Sequence, residues 1–106
     1  MKQIIDGKRY DTEKAERVAT WNNGCYGNDL HSCSESLYRT KNGNYFVHGY
    51  GGAMSSWSQS CDGGNGQCNG EGIEALSPQG ALEWLEDKGE DVPEGCPEVS
   101  ALVVDA

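Results

Sequence analysis

The chain has 106 residues, among them 15 glycines and five cysteines, and a formal net charge of −9 at neutral pH. This length allows one small domain, and no apolar run approaches the roughly 20 residues that a membrane-spanning helix needs. Residues 1–53 sum to +1 and residues 54–106 to −10, a balance that argues against direct nucleic-acid binding and suits either a basic protein partner or a merely solubilising acidic segment.

The N-terminal part predicts two short strands and then a helix. Asp6-Gly7 is a turn dipeptide within the strand-like residues 2–10. A helix is expected over residues 12–20, because this segment carries small apolar residues at helical spacing, namely Ala15, Val18 and Ala19.

A central hairpin is expected at about residues 35–50. Two runs of aromatic and β-branched residues flank Asn42-Gly43, the favoured pair of a two-residue type I′ turn. Such a loop places Tyr38 opposite Val47. Both faces of the hairpin then carry apolar side chains, so it should lie in the middle of a small antiparallel sheet.

The second half predicts a long loop, a strand and a helix. Residues 53–72 are rich in glycine and cysteine and should be irregular. A short strand at residues 73–76 leads to a helix at residues 78–88, with Ser77 as its N-cap and Gly89 just beyond its end.

The expected fold class is α+β, with one small antiparallel sheet built on the central hairpin, two helices and the long Gly/Cys-rich loop. We expect the domain to span residues 1–89, followed by an acidic tail at residues 90–106. The apolar run at residues 101–104 fits either an edge strand or a frayed end.

The cysteines leave three alternatives open. Zinc could be held by Cys25, Cys33, Cys61 and Cys68, but their spacings lack the closely spaced pairs of zinc knuckles. Disulfides could join Cys61 to Cys68 and Cys25 to Cys33, although the expected cytoplasmic location disfavours them. Free thiols are the third alternative, and no cofactor is predicted.

No catalytic motif is evident in the chain. The chain contains no G-x-S-x-G elbow, no P-loop lysine and no paired-carboxylate motif, and the strand position of His48 favours a structural role. The sequence therefore predicts a protein that is not an enzyme. Trp57 and Tyr50 lie in or beside loops and suit either an interface anchor or a core that is short of aliphatic residues.

Three motifs together resemble small proteins of phages and bacterial mobile elements. They are Ile5-Asp6-Gly7-Lys8-Arg9-Tyr10-Asp11-Thr12-Glu13-Lys14-Ala15, the hairpin from Leu37 to Phe46, and Leu76-Ser77-Pro78-Gln79-Gly80-Ala81-Leu82-Glu83-Trp84-Leu85. The resemblance covers about two-thirds of the chain. Some proteins of this kind are anti-CRISPR proteins, which inhibit CRISPR–Cas effectors by binding them directly.

The resemblance and the charge together imply an inhibitor in the cytoplasm of a bacterial host cell, which presents an acidic, nucleic-acid-like surface to a basic surface of the effector. The acids expected to pair with effector Lys and Arg are Glu83, Glu86, Asp87, Glu90 and Asp91, with Trp57 or Tyr50 as an apolar anchor. The alternative is a small zinc- or thiol-containing regulatory module of a mobile element. The sequence does not decide whether the chain forms a homodimer.

Overall fold

A computed structural model of the chain describes residues 1–24, 30–61, 63 and 66–106. Four antiparallel strands form the main sheet in the order β3-β4-β5-β8, and β1–β2 and β6–β7 are separate hairpins. The elements are β1 (Lys2–Ile5), β2 (Lys8–Asp11), β3 (Glu16–Asn22), β4 (Cys33–Arg39), β5 (Tyr45–Gly51), β6 (Gln59–Cys61), β7 (Gly66–Cys68), β8 (Gly70–Leu76), α1 (Pro78–Lys88) and α2 (Pro97–Ser100). The expected α+β class is confirmed.

The main sheet is covered on both faces. We call the face that packs against α1 and α2 the helix face, and the face that packs against the β1–β2 hairpin the hairpin face. The buried residues of the helix face are Leu37, Tyr45, Val47, Ala81, Leu85, Cys96 and Val99. Those of the hairpin face are Tyr10, Phe46 and Ile73.

The central hairpin is confirmed, but its predicted turn is wrong. The backbone N–H of Thr40 donates to the carbonyl of Asn44 at 2.8 Å, which leaves a three-residue loop in which Gly43 has a φ of 80°. This geometry is a type I turn followed by a left-handed glycine. A turn with two residues at positive φ occurs instead at Asp6 and Gly7, with φ of 50° and 78°.

The longer loop shifts the hairpin register by one residue. Tyr38 pairs with Phe46 and Leu37 with Val47, so Leu37 and Val47 share the helix face. The rings of Tyr38 and Phe46 stack on the hairpin face with centroids 5.0 Å apart. Because a one-residue slip moves every side chain of one strand to the other face, burial against α1 selects this register over the one that the Asn-Gly pair favours.

The helix predicted over residues 12–20 is wrong. Residues 12–15 form turns, and the following residues form the edge strand β3, with a bulge between Arg17 and Ala19. Val18 and Ala19 pack on the helix face, whereas Ala15 packs on the hairpin face. The apparent helical stripe is therefore divided between two cores, and pairing with β4 overrides a weak local preference.

The region 53–72 is only partly a loop. It contains β6 and β7, which form a hairpin closed by a disulfide between Cys61 and Cys68, and β8 already begins at Gly70. Of the disulfides considered from the sequence, the Cys61–Cys68 pair is confirmed. The Cys25–Cys33 pair is wrong, because Cys33 is a free thiol.

Helix α1 has the bounds that its sequence predicts. The hydroxyl of Ser77 accepts from the backbone N–H of Gly80 at 3.0 Å, and Gly89 has the left-handed φ of 72°. Both ends of the helix are therefore set by local capping chemistry. Within the described residues, no helix combines the length and apolarity needed to cross a membrane.

The packed domain extends beyond residue 89, the domain end that was predicted from the sequence. Cys96 and Val99 are buried in the helix-face core. Glu98 of α2 accepts hydrogen bonds from Arg39 Nε at 2.9 Å, from Arg39 Nη2 at 2.6 Å and from the Tyr45 hydroxyl at 2.8 Å. The following residues 101–104 are exposed and form no strand.

Glu98 predicts a pH dependence of stability. Hydrogen bonds from the Arg39 guanidinium, and then from Tyr45, lower the pKa of Glu98 to about 2. Because the folded-state pKa is depressed, this stabilisation is complete above the ordinary carboxyl pKa, near 4.5, and is lost as the pH falls toward 2. We expect Glu98→Gln to destabilise the protein at pH 6 and to converge with the wild type near pH 2, as measured by urea unfolding. A constant difference between the two proteins across this range would contradict the assignment.

Gly49 predicts a second effect on stability. A Cβ at Gly49 would overlap the indole ring of Trp57, which lies across this strand. Gly49→Ala should therefore lower the free energy of unfolding by about 2–3 kcal/mol, as overpacking does elsewhere. Gly80→Ala is the matched control, since its Cβ meets only ordinary contacts and should stabilise α1 by up to about 1 kcal/mol. A Gly49→Ala protein as stable as the wild type would show that Trp57 does not sit there.

Candidate partner-binding surface

A single carboxylate organises the helix face. Glu35 lies on β4 and is largely buried, with 12 % of its side chain exposed. Its Oε1 accepts from the indole N–H of Trp84 at 2.7 Å, and its Oε2 accepts from the indole N–H of Trp57 at 2.8 Å. Two tryptophans from different parts of the chain are thereby tied to the sheet through charge-assisted hydrogen bonds.

Lys88 completes this cluster from the last turn of α1. Its Nζ lies 3.5 Å from Glu35 Oε1 and 3.8 Å from the centroid of the Trp21 ring. Such an ammonium over an indole face is attracted by the negative face of the ring. Only 12 % of the Lys88 side chain is exposed, and its Nζ also lies 3.3 Å from Oδ2 of the exposed Asp87. This largely buried cation therefore pairs with both carboxylates. We call Glu35, Lys88, Trp21, Trp57 and Trp84 the tryptophan cluster.

The inward position of Lys88 determines the charge of the outer surface. Lys88 is the only Lys or Arg in residues 54–106, so the described part of this half exposes no lysine or arginine side chain. The exposed acids that remain are Glu71, Glu74, Glu83, Glu86, Asp87, Glu90, Asp91, Glu94 and Asp105. Packing, and not composition alone, makes this surface uniformly negative.

Part of this surface has helical order. Glu83, Glu86 and Asp87 are exposed and share the outer side of α1, opposite the buried Ala81 and Leu85. Glu90 and Asp91 follow directly and are also exposed. We call these five acids the acidic face. The structure thus brings together the acids that the sequence analysis named.

The acidic face does not favour the stability of α1. Glu83 and Asp87 are like charges four residues apart, which costs about 0.2–0.5 kcal/mol. Glu86 and Asp87 also lie in the last turn, where the helix dipole favours cations, and the first turn carries no acid. A helix optimised for stability alone would therefore carry its acids in the first turn and not at these positions.

The two predicted apolar anchors do not join the acidic face. Trp57 is half-buried within the tryptophan cluster and packs against the core of the helix face. Tyr50 is 53 % exposed, but it alternates with Gly49 and Gly51 and so lies on the hairpin face, away from α1. Its neighbour His48 pairs with Glu71, Nε2 to Oε2, at 2.9 Å.

The four-cysteine zinc site is not assembled. Cys61 and Cys68 form a disulfide, which leaves neither sulfur as the thiolate that zinc binds. Burial raises the pKa of the Cys33 thiol and so further disfavours its thiolate. Cys25 lies outside the described residues. Among the residues that the structure describes, no group of three or more His, Cys, Asp or Glu side chains is placed to hold a metal ion.

Neither Glu35 nor Lys88 is among the site residues predicted from the sequence. One usable signal was present: Lys88 follows Trp84 by four residues, the spacing that places two side chains side by side on a helix. The partner carboxylate lies 53 residues earlier in the chain, and no local pattern connects the two.

Comparison of the chain with models of protein families, with curated proteins and with solved structures gives no match.

The tryptophan cluster predicts a large loss of stability on removal of its carboxylate. Glu35→Ala leaves two indole N–H groups without their acceptor and leaves the Lys88 ammonium with only the exposed Asp87 carboxylate, so the free energy of unfolding should fall by about 3–5 kcal/mol. Glu74→Ala is the matched control, since it removes an exposed acid from the same sheet and should change stability by less than about 0.5 kcal/mol. Equal effects of the two variants in urea unfolding would contradict the role of Glu35.

Proposed function

We propose that this chain is a non-enzymatic inhibitor that uses its acidic face to occupy a basic protein surface where nucleic acid would otherwise bind. The observation that carries the proposal is the burial of Lys88, which leaves the exposed surface of the second half without a lysine or arginine. Surfaces of one sign accelerate encounter with partners of opposite sign and select against partners of the same sign.

The charge spacing on α1 supports mimicry of nucleic acid. Glu83 and Asp87 are four residues apart, or about 6 Å along the helix axis. Three carboxylates in this interval give a mean axial spacing of about 3 Å per charge, against one phosphate per 3.4 Å along a nucleic-acid strand. Lys and Arg arranged to receive a phosphate backbone could therefore receive this helix instead.

The identity of the target follows from the motif resemblance. The three motifs shared with phage and mobile-element proteins favour a CRISPR–Cas effector in a bacterial host as the protein that is bound. The structure adds no support to the alternative of a zinc-containing regulatory module, because two of the four proposed ligands are joined as a disulfide.

The test measures binding to purified CRISPR–Cas effectors of several types, with a variant that removes charge and keeps the fold. Glu83→Gln, Glu86→Gln and Asp87→Asn together should weaken binding at least about tenfold, the loss expected for about 1.4 kcal/mol. The same variant should have nearly the stability of the wild type, because it removes unfavourable helix charges together with the ion pair of the exposed Asp87 carboxylate with Lys88, and such exposed pairs contribute little. Affinity of the wild type should fall steeply with salt.

The matched control is Glu74→Gln with Asp105→Asn, which removes two exposed acids outside the acidic face. This control should retain affinity within about twofold. Absence of binding to every effector would overturn the proposed target, whereas binding that survives loss of the three helix acids would overturn the mimicry.

A further inference from the structure

A second charged feature lies in the first half of the chain, in a groove unrelated to the acidic face. The groove has a volume of about 680 Å³ and lies between β2, the turn that follows it, and the loop of the central hairpin. Three cationic side chains line it, from Arg9, Lys14 and Lys41. They come from three separate elements, so the tertiary structure is what brings them to one cavity.

The three cations are available to a ligand. None of them forms an ion pair with any other residue of the described chain, and all three are exposed. Arg39 gives the contrast: it lies in the same loop region, but its guanidinium is held by Glu98 in a two-point contact. Within the part of the chain that the structure describes, Arg39 is therefore neutralised internally, whereas the three groove cations have no ion-pair partner.

Both walls of the groove are held in place by hydrogen bonds. In the turn, Asp11 Oδ1 accepts from the N–H of Glu13 at 2.9 Å, and the Asp11 carbonyl accepts from the N–H of Lys14 at 3.2 Å. In the hairpin loop, Thr40 Oγ1 accepts from the N–H of Asn44 at 3.1 Å. The backbone that carries the cations is thus ordered before any ligand arrives, which lowers the entropic cost of binding.

Size and charge together define the ligand class. The volume lies within the range of about 300–1,000 Å³ that small-molecule sites occupy. Two carboxylates, those of Asp11 and Glu13, also line the groove, so its formal charge is +1. A guanidinium and two ammonium groups match phosphate oxygens, whereas the carboxylates restrict where those oxygens can lie.

We propose that this groove binds a small phosphorylated ligand of about nucleotide size, with its phosphates held by Arg9, Lys14 and Lys41. The proposal is independent of the acidic face. It describes a second binding site on a protein whose overall charge is negative. At about 0.15 M salt, charges farther away than roughly 8 Å are largely screened, so the local cations and not the net charge govern the groove.

The experiment is titration of the ¹⁵N-labelled full chain with ADP and with inorganic tripolyphosphate at about 0.15 M salt, followed by NMR. Saturable shifts are expected at Lys14, Lys41 and Asn42, and adenosine, which has no phosphate, should not produce them. Arg9→Gln, Lys14→Gln and Lys41→Gln should each raise the dissociation constant at least threefold. Lys8→Gln is the matched control, because Lys8 is exposed on the same strand as Arg9 and does not line the groove; it should change the constant less than twofold.

Three outcomes would overturn the proposal. One is the lack of saturable shifts up to about 10 mM of either phosphate ligand. Another is an equal effect of Lys8→Gln and the three groove variants, which would indicate diffuse attraction. The third is tighter binding of a single-stranded oligonucleotide than of ADP through the same three residues, which would assign the groove to a nucleic-acid backbone.

Discussion

The carboxylate of Glu35 is the contact on which the helix face depends. It accepts one indole N–H from the segment before β6 and another from α1, and it faces the Lys88 ammonium, which in turn covers the Trp21 ring on β3. Each half-buried tryptophan removes apolar area from water, which matters in a small domain with few aliphatic residues. A buried charge is stable only when its partners are all in place. Four separate parts of the chain, namely β3, β4, the segment before β6 and α1, must therefore dock together, and the cluster makes their docking cooperative.

The same contacts determine which charges reach the surface. Lys88 forms an ion pair with Glu35, and Arg39 forms an ion pair with Glu98. The Glu98 carboxylate also accepts a hydrogen bond from the Tyr45 hydroxyl. The exposed charges include the acidic face along α1 and, separately, the three cations of the groove near the hairpin loop. Internal pairing thus removes the Lys88 and Arg39 cations from the exposed charges. The function proposed for each surface follows from that separation.

Several features could be predicted from local sequence because local chemistry determines them. Ser77, Pro78 and Gly89 define both ends of α1 through capping, and Asp6-Gly7 defines the first hairpin. Other features could not be predicted, because they result from competition with distant parts of the chain. Asn42-Gly43 favours a two-residue turn in isolation, yet burial of Leu37 and Val47 against α1 requires the three-residue loop. The stripe at residues 15–19 fits a helix, yet pairing with β4 makes it a strand.

The sequence by itself determined the α+β class, the central hairpin, the ends of α1 and the concentration of negative charge in the second half, since each depends on neighbouring residues or on composition. Only the tertiary structure decided which faces of the strands are buried, where Trp57 lies and which charges are exposed. The physical reason is that burial and ion pairing depend on contacts between residues far apart in the chain, such as Glu35 with Lys88. The exposed acids of α1 could be predicted from the sequence, whereas the burial of Lys88 beside Glu35 could not.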